Sequence, residues 1–361
     1  MELNARQKRV AYATDSHILC LAGPGSGKTR ALTERVRHLI VDVQVPPEKI
    51  VCITFTNLAA REMKSRLGDI SDGMFIGTIH SYANFICKYN NVDMTDAIQD
   101  EDYDDLLITG SRMKKFPEVE HLLVDEAQDI AQLEYVFITK IPAKNIFYVA
   151  DDRQNIYSFR GGSDRYISMM NKDINFKKYY LTENYRSSPN IIEFANDLLE
   201  TYKPMGMPCQ PIKTKDGIVE QGVSVGEALD MLEESHNWGS WFILARTNKE
   251  CEKAMEMLDE RGIPNVTFKK ADLDSNEVLE KIMDSNNVKV LTIHQAKGLE
   301  RRNVIVIGAR TYNIDERKIA YVAATRAENA LYWCPSIAKG RAKRKSKWER
   351  GTDERNQLIN F

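Results

Sequence analysis

Short apolar runs alternate with helix-like stretches along almost the whole chain. The runs HILCLA (17–22), KIVCITF (49–55), MFIGTI (74–79), HLLVDE (121–126), NIFYVA (145–150) and KKYYL (177–181) are continuous enough for strands buried on both faces. A second series repeats the pattern: WFILAR (241–246), NVTF (265–268), VKVLTI (288–293), NVIVIG (303–308) and ALYWC (330–334). Helical spacing falls between most of them, at 57–67, 128–140, 188–201, 248–261 and 315–327. Such alternation predicts an α/β fold with parallel sheets covered by helices on both faces. The segment KPMGMPCQPIKTKDG (203–217) reads as an irregular connection inside the second half. The simplest organisation is two α/β domains joined near 178–184: residues 1–180, residues 181–338, and a tail at 339–361.

Composition adds bounds. The 361 residues suffice for two domains, and 43% hydrophobic with 28% charged residues fits a soluble globular protein. No apolar run approaches the roughly 18 residues a membrane span needs. The opening MELNARQKRVAYA is too polar for a secretory signal. Cys20, Cys52, Cys87, Cys209, Cys251 and Cys334 are scattered with no CxxC pair, which points to buried thiols in a reducing, cytoplasmic setting. The net charge is −2, so a polyanion site must be local. The acidic QDEDYDD (99–105) reads as a solvated loop, and the basic KGRAKRKSKWER (339–350) as either a solvated tail or a phosphate-tracking arm.

The chemistry begins at AGPGSGKT (22–29). A strand runs into Gly23, Pro24, Gly25, Ser26 and Gly27, whose backbone amides can curl around an anion at a helix N-terminus. Lys28 would reach the β- and γ-phosphates and Thr29 would set its hydroxyl on Mg²⁺. The strict pattern asks for glycine at 22, where this chain has Ala22. At the end of HLLVDE, Asp125 and Glu126 lie at the carboxyl edge of a sheet, suited to holding the magnesium of a nucleotide and to activating water. Together the two motifs predict hydrolysis. In VADDRQNIYSFRGG (149–162), Gln154 could touch the γ-phosphate. Tyr157, Phe159 and Arg160 suit base stacking and phosphate contact, or else alternate into the core. Arg186 and Arg326 could stabilise charge on a transferring phosphoryl group, or form surface ion pairs.

The ordered blocks LNARQ (3–7), AGPGSGKT, ITFTNLAAREMKSRL (53–67), GTIHSYA (77–83), VDEAQD, VADDRQNIYSFRGG, ENYRSSPNII, ILARTN (243–248), VLTIHQAKGLE (290–300) and YVAATRAENAL (321–331) resemble the superfamily 1 DNA helicases of the UvrD/Rep type. The resemblance implies two RecA-like domains with ATP in the cleft between them, closing on binding and reopening on hydrolysis. It implies that Gln7 reads the adenine edge, with Tyr185 stacked on the base, Arg30 nearby and Glu300 on the ribose. Lys28 and Thr29 would hold phosphates and Mg²⁺, Asp125 the metal, Glu126 the attacking water, Gln154 the sensor role, and Arg186 and Arg326 the arginine-finger role. Single-stranded DNA, including single-strand/duplex junctions, would meet Thr54, Phe55 and Asn57, then His80, then Tyr157, Phe159 and Arg160, then Thr292 and His294. The implied activity is ATP-driven 3′ to 5′ translocation with duplex unwinding.

This chain departs from the family in its intervals. His80 to Asp125 spans 45 residues and Arg246 to Thr292 spans 46, too short for the accessory insertions of full-length relatives. That weakens the expectation of strand separation more than of hydrolysis, and favours as the alternative a remodeller that displaces proteins from DNA. A non-hydrolysing DNA-binding module is opposed by the full set of nucleotide residues. A metabolic phosphate-loop kinase leaves the aromatic blocks unexplained.

Overall fold

The computed structural model describes residues 2–157, 164–268, 272 and 276–336. Phe159, Arg160 and the basic 339–350 segment lie outside the described residues. The chain forms two compact units, one holding the residues up to Arg186 together with Thr201–Ile212, the other holding Ser187–Glu200 and the residues from Lys213 onward.

In the first unit, β1 (His17–Ala22), β2 (Ile50–Thr54), β3 (Phe75–Thr78), β4 (Val119–Val124), β5 (Ala143–Ala150) and β6 (Lys177–Leu181) form a six-stranded sheet ordered β3-β2-β4-β5-β1-β6. Every pairing is parallel. Alternate side chains of each strand enter two separate cores. Leu19, Leu21, Val51, Ile53, Leu122, Val124 and Tyr148 pack on one face against the helices Ile79–Tyr89, Gln132–Ile138 and Asp164–Lys172. Ile18, Cys20, Ile50, Cys52, Leu123, Phe147 and Val149 pack on the other against α1 (Ala5–Ala11), α2 (Lys28–Val41) and α3 (Asn57–Leu67). Helix α4 runs Ile79–Tyr89. Burial on both faces is why these strands read as unbroken apolar runs.

A parallel pair of two-residue strands follows, β7 (Glu183–Asn184) and β8 (Gln210–Pro211). The second unit contains β9 (Ile218–Gln221), β10 (Trp241–Ala245), β11 (Asn265–Val266), β12 (Val288–Thr292), β13 (Arg301–Ile307) and β14 (Ala327–Cys334), ordered β11-β12-β10-β13-β14-β9. This sheet too is parallel throughout. The α/β class and both parallel sheets are as the sequence predicts.

Three details differ from the sequence expectation. The helix expected at 128–140 is Gln132–Ile138, because Glu126 turns into left-handed backbone at φ 50° and a short 3₁₀ turn, Ala127–Asp129, intervenes. The expected boundary at 180/181 moves past Arg186, since β6 and its continuation are stitched to the phosphate loop. Gly23 N donates to Leu181 O at 3.1 Å and Tyr185 N to Gly25 O at 3.0 Å. The third is the connection expected inside the second half, of which residues 201–212 belong to the first unit. All six cysteines are free and buried. Among the described residues no helix is long and apolar enough to cross a membrane.

Candidate functional site

The loop after β1 is shaped by protein contacts to its carbonyls. Gln7 Nε2 donates to Ser26 O at 2.9 Å, Asn184 Nδ2 to Pro24 O at 2.7 Å, and Ser26 Oγ to Gly23 O at 2.7 Å. With Tyr185 N on Gly25 O, four successive carbonyls are occupied by donors of the protein itself. That orientation leaves amides for an anion, at the N-terminus of α2, where Gly27 caps without any side-chain bond. Glycine is required sterically at two positions in left-handed backbone. A β-carbon on Gly25 (φ 63°) would lie 2.8 Å from Arg186 Cβ, and one on Gly27 (φ 79°) 2.5 Å from Gln7 Nε2. Ala22 is tolerated because it still belongs to β1, and the tight approach starts at Gly23, where a β-carbon would meet Cys209 Sγ at 2.2 Å.

Beyond β4 lies the acidic pair. Glu126 Oε1 is 3.5 Å from Lys28 Nζ, and its other oxygen accepts from Gln128 Nε2. Asp125 is only 6% exposed, and its Oδ1 accepts from Glu126 N at 2.9 Å. Burial first, then the neighbouring Glu126, push the Asp125 carboxyl up from the ordinary carboxylate range, against the pull of Lys28. Glu126 itself holds a left-handed conformation that costs a non-glycine residue about 1–3 kcal/mol. Such a backbone conformation persists only where the surrounding structure holds it in place.

Gln128, fully buried, carries the link onward, since its Oε1 accepts from Asp151 N at 2.9 Å. Asp151 in turn accepts from Arg153 Nε at 2.8 Å and from Gln154 Nε2 at 2.7 Å, so Gln154 is pinned in place at the end of β5. Because β5 lies between β1 and β4, the phosphate loop, the acidic pair and Gln154 share one sheet edge. The sequence reading gave no role to Gln128, Asp151, Arg153 or Asn184. All four sit inside blocks already singled out, which was the available signal.

The remaining expected residues fall as follows. Gln7 is 3% exposed, its Oε1 accepting from Asn4 N at 3.0 Å, while Asn4 Nδ2 donates to Tyr185 OH at 2.6 Å. Thr29 and Arg30 occupy the first turn of α2. Arg186 belongs to the first unit rather than the second, beside Gly25. Arg326 lies in the second unit, 2% exposed, donating to Val322 O, Leu299 O and Thr325 Oγ1. Glu300 follows Leu299 directly and is exposed.

Phe55 and Tyr157 stack with ring centroids 5.2 Å apart, Phe55 directly after β2 and Tyr157 beyond the 3₁₀ turn Asp152–Gln154 that follows β5. Asn57 opens α3, whereas Thr54 is buried with its hydroxyl donating to Thr56 O at 3.0 Å. His80 packs on the Tyr103 ring at 4.9 Å, and burial pushes its pKa below the ordinary value despite the opposing pull of Asp104. In the second unit, Thr292 is fixed by Gln295, whose Oε1 accepts from Thr292 Oγ1 at 2.9 Å, and His294 follows in the same turn.

The UvrD/REP helicase N-terminal domain model matches residues 3–117 and 102–175, and the UvrD-like helicase C-terminal domain model matches 267–336. The chain belongs to the UvrD/Rep helicase family. Among curated family relatives, the ATP-dependent DNA helicase PcrA of Leuconostoc citreum is 27% identical over 296 residues, covering 55% of this chain and 39% of the relative. The PcrA of Bacillus subtilis (strain 168) is 28% identical over 290 residues, with coverage of 55% and 39%. The chain thus spans about two fifths of the length of the curated relatives it matches. A solved PRRSV helicase structure aligns at a TM-score of 0.48 and 12% identity, over 92% of this chain and 54% of that one.

Proposed function

We propose that the chain hydrolyses ATP to move 3′ to 5′ along single-stranded DNA, separating duplex at single-strand/duplex junctions. The observation that carries this reading is the meeting of Lys28 and Glu126 at the N-terminus of α2, with buried Asp125 beside them. Lys28 and the loop amides would bind the phosphates, and Gln7, Arg30, Tyr185 and Glu300 the nucleoside. Glu126, held by Gln128, would take the proton from the attacking water. Gln154 would report the state of the γ-phosphate, and Arg186 and Arg326 would serve as arginine fingers.

Asp125 and Thr29 suit Mg²⁺. Both offer hard oxygen donors, and Asp125 adjoins a second carboxylate, Glu126, with Lys28 as the nearby cation. When bound, the ion would draw charge from the phosphate oxygens. DNA would be gripped by the Phe55–Tyr157 stack, aided by Asn57, Thr54, His80, Phe159 and Arg160, and in the second unit by Thr292 and His294. Stacking of this sort contributes about 1–3 kcal/mol per base and tolerates any sequence.

Tailed-duplex displacement tests the reading. A duplex with a 3′ single-stranded tail should be separated in the presence of ATP at least about tenfold faster than one with a 5′ tail. A stronger signal from the 5′ tail would reverse the polarity. Single-strand-stimulated ATP turnover without displacement from either substrate would favour the protein-displacing remodeller.

A further inference from the structure

The chain leaves the first unit after Arg186, contributes helix Pro189–Leu198 to the second, and returns for residues 201–212 before rejoining the second unit at Lys213. This returning strap is bonded where the proposed nucleotide chemistry is organised. Tyr202 OH lies 2.7 Å from Asp152 Oδ2 and 3.2 Å from Asp164 Oδ2, and Met205 N donates to the same Asp152 oxygen at 2.9 Å. Arg153 Nη1 donates to Met207 O at 2.9 Å. Cys209 packs directly on Gly23 of the phosphate loop. Gln210 N then donates to Thr182 O at 2.8 Å and Ile212 N to Asn184 O at 2.9 Å.

These anchor points are not scattered. Asp152 and Arg153 form one 3₁₀ turn with Gln154, and Asp152, at 0% exposure, takes two hydrogen bonds from the strap on its Oδ2. At the other end the strap pairs with the strand whose Asn184 holds Pro24 O and, through Oδ1, Arg186 N at 3.0 Å. One segment therefore touches the sensor turn, the phosphate loop and the strand leading to Arg186, and both its ends continue covalently into the second unit. A connection needed only for span has no reason to bury a carboxylate against its own backbone amide.

We propose that Asp152 and Tyr202 are positioning residues that clamp this strap to the Gln154 turn, so that DNA bound by the protein stimulates hydrolysis through it. The inference rests on the function proposed above. A clamp of this kind sets coupling, whereas a merely structural one sets only how much protein is folded.

The test compares full-length parent, Tyr202→Phe and Asp152→Asn. ATP turnover is measured without DNA and with saturating single-stranded oligonucleotide, alongside thermal melting. DNA-free turnover is expected to stay within about twofold of the parent, while the ratio of stimulated to DNA-free turnover falls at least about fivefold. Loss of folded protein alone would lower both rates together and leave the ratio unchanged. An unchanged ratio in Tyr202→Phe, which keeps the ring and loses one hydroxyl, overturns the proposal even if Asp152→Asn fails to fold. A parent that binds ATP but shows no stimulation by DNA would instead refute the proposed function, and the clamp's role with it.

Discussion

Glu126→Gln is expected to lower DNA-stimulated ATP turnover by about 10²–10⁴-fold, the usual contribution of a positioned general base, while ATP still binds. The amide keeps the shape of the side chain, so the left-handed turn at residue 126 and the contact with Gln128 have no steric reason to change. What disappears is the charge. Lys28 loses its carboxylate 3.5 Å away and becomes freer to meet phosphate, so ATP affinity should hold or rise. Separate measurement of equilibrium ATP binding and of steady-state turnover checks both halves. A variant that turns over within about threefold of the parent would remove Glu126 from the proton-accepting role.

Asp151→Ala is the second large effect, and it concerns stability. The carboxylate is 1% exposed and joins Arg153, Gln154 and, through its backbone amide, Gln128. Removing it breaks the ion pair between this carboxylate and the Arg153 guanidinium, 3% exposed. Breaking a buried ion pair by removing one member costs about 3–5 kcal/mol, which should lower the melting midpoint by roughly 10 °C. The pH dependence has a definite sign. Burial alone would raise this carboxyl, but Arg153 and Lys28 outweigh it and hold it below the ordinary 3.8. A carboxyl lowered on folding contributes stability at neutral pH that is lost as pH falls through its folded value. The gap between parent and variant in chemical denaturation should therefore be full at pH 7 and shrink below about pH 4. A gap that widens on acidification would contradict the ion-pair assignment.

The sheets were legible because their strands are buried on both faces. All eleven apolar runs became strands, β1 and β2 among them with scarcely an exposed side chain. Strand β9 was missed for the opposite reason, being a largely exposed edge with no apolar run to mark it. The phosphate loop could be read from glycine spacing, since Gly25 and Gly27 answer local needs of backbone conformation and space. The bracing of that loop could not. It depends on Gln7, Asn184 and Cys209, which reach it from distant points in the chain. Likewise the strap at 201–212 looks like an irregular Pro/Gly-rich linker, because its order comes from single bonds to Asp152, Arg153 and Thr182 rather than from any periodic face. Arg186 falls in the first unit for the same reason: the residues before it are tied to the loop, Tyr185 N to Gly25 O and Asn184 Nδ2 to Pro24 O, contacts that sequence position does not encode.

The central claim is that a phosphate site built on Lys28, Asp125 and Glu126 hydrolyses ATP under the control of a DNA strand. The most direct measurement is steady-state ATP turnover of the parent chain with Mg²⁺, with and without a single-stranded oligonucleotide. The account predicts stimulation of at least about tenfold, of the size expected when a bound strand completes the catalytic arrangement. Turnover that is unaffected by the oligonucleotide, in protein shown to bind both ATP and the strand, would contradict it.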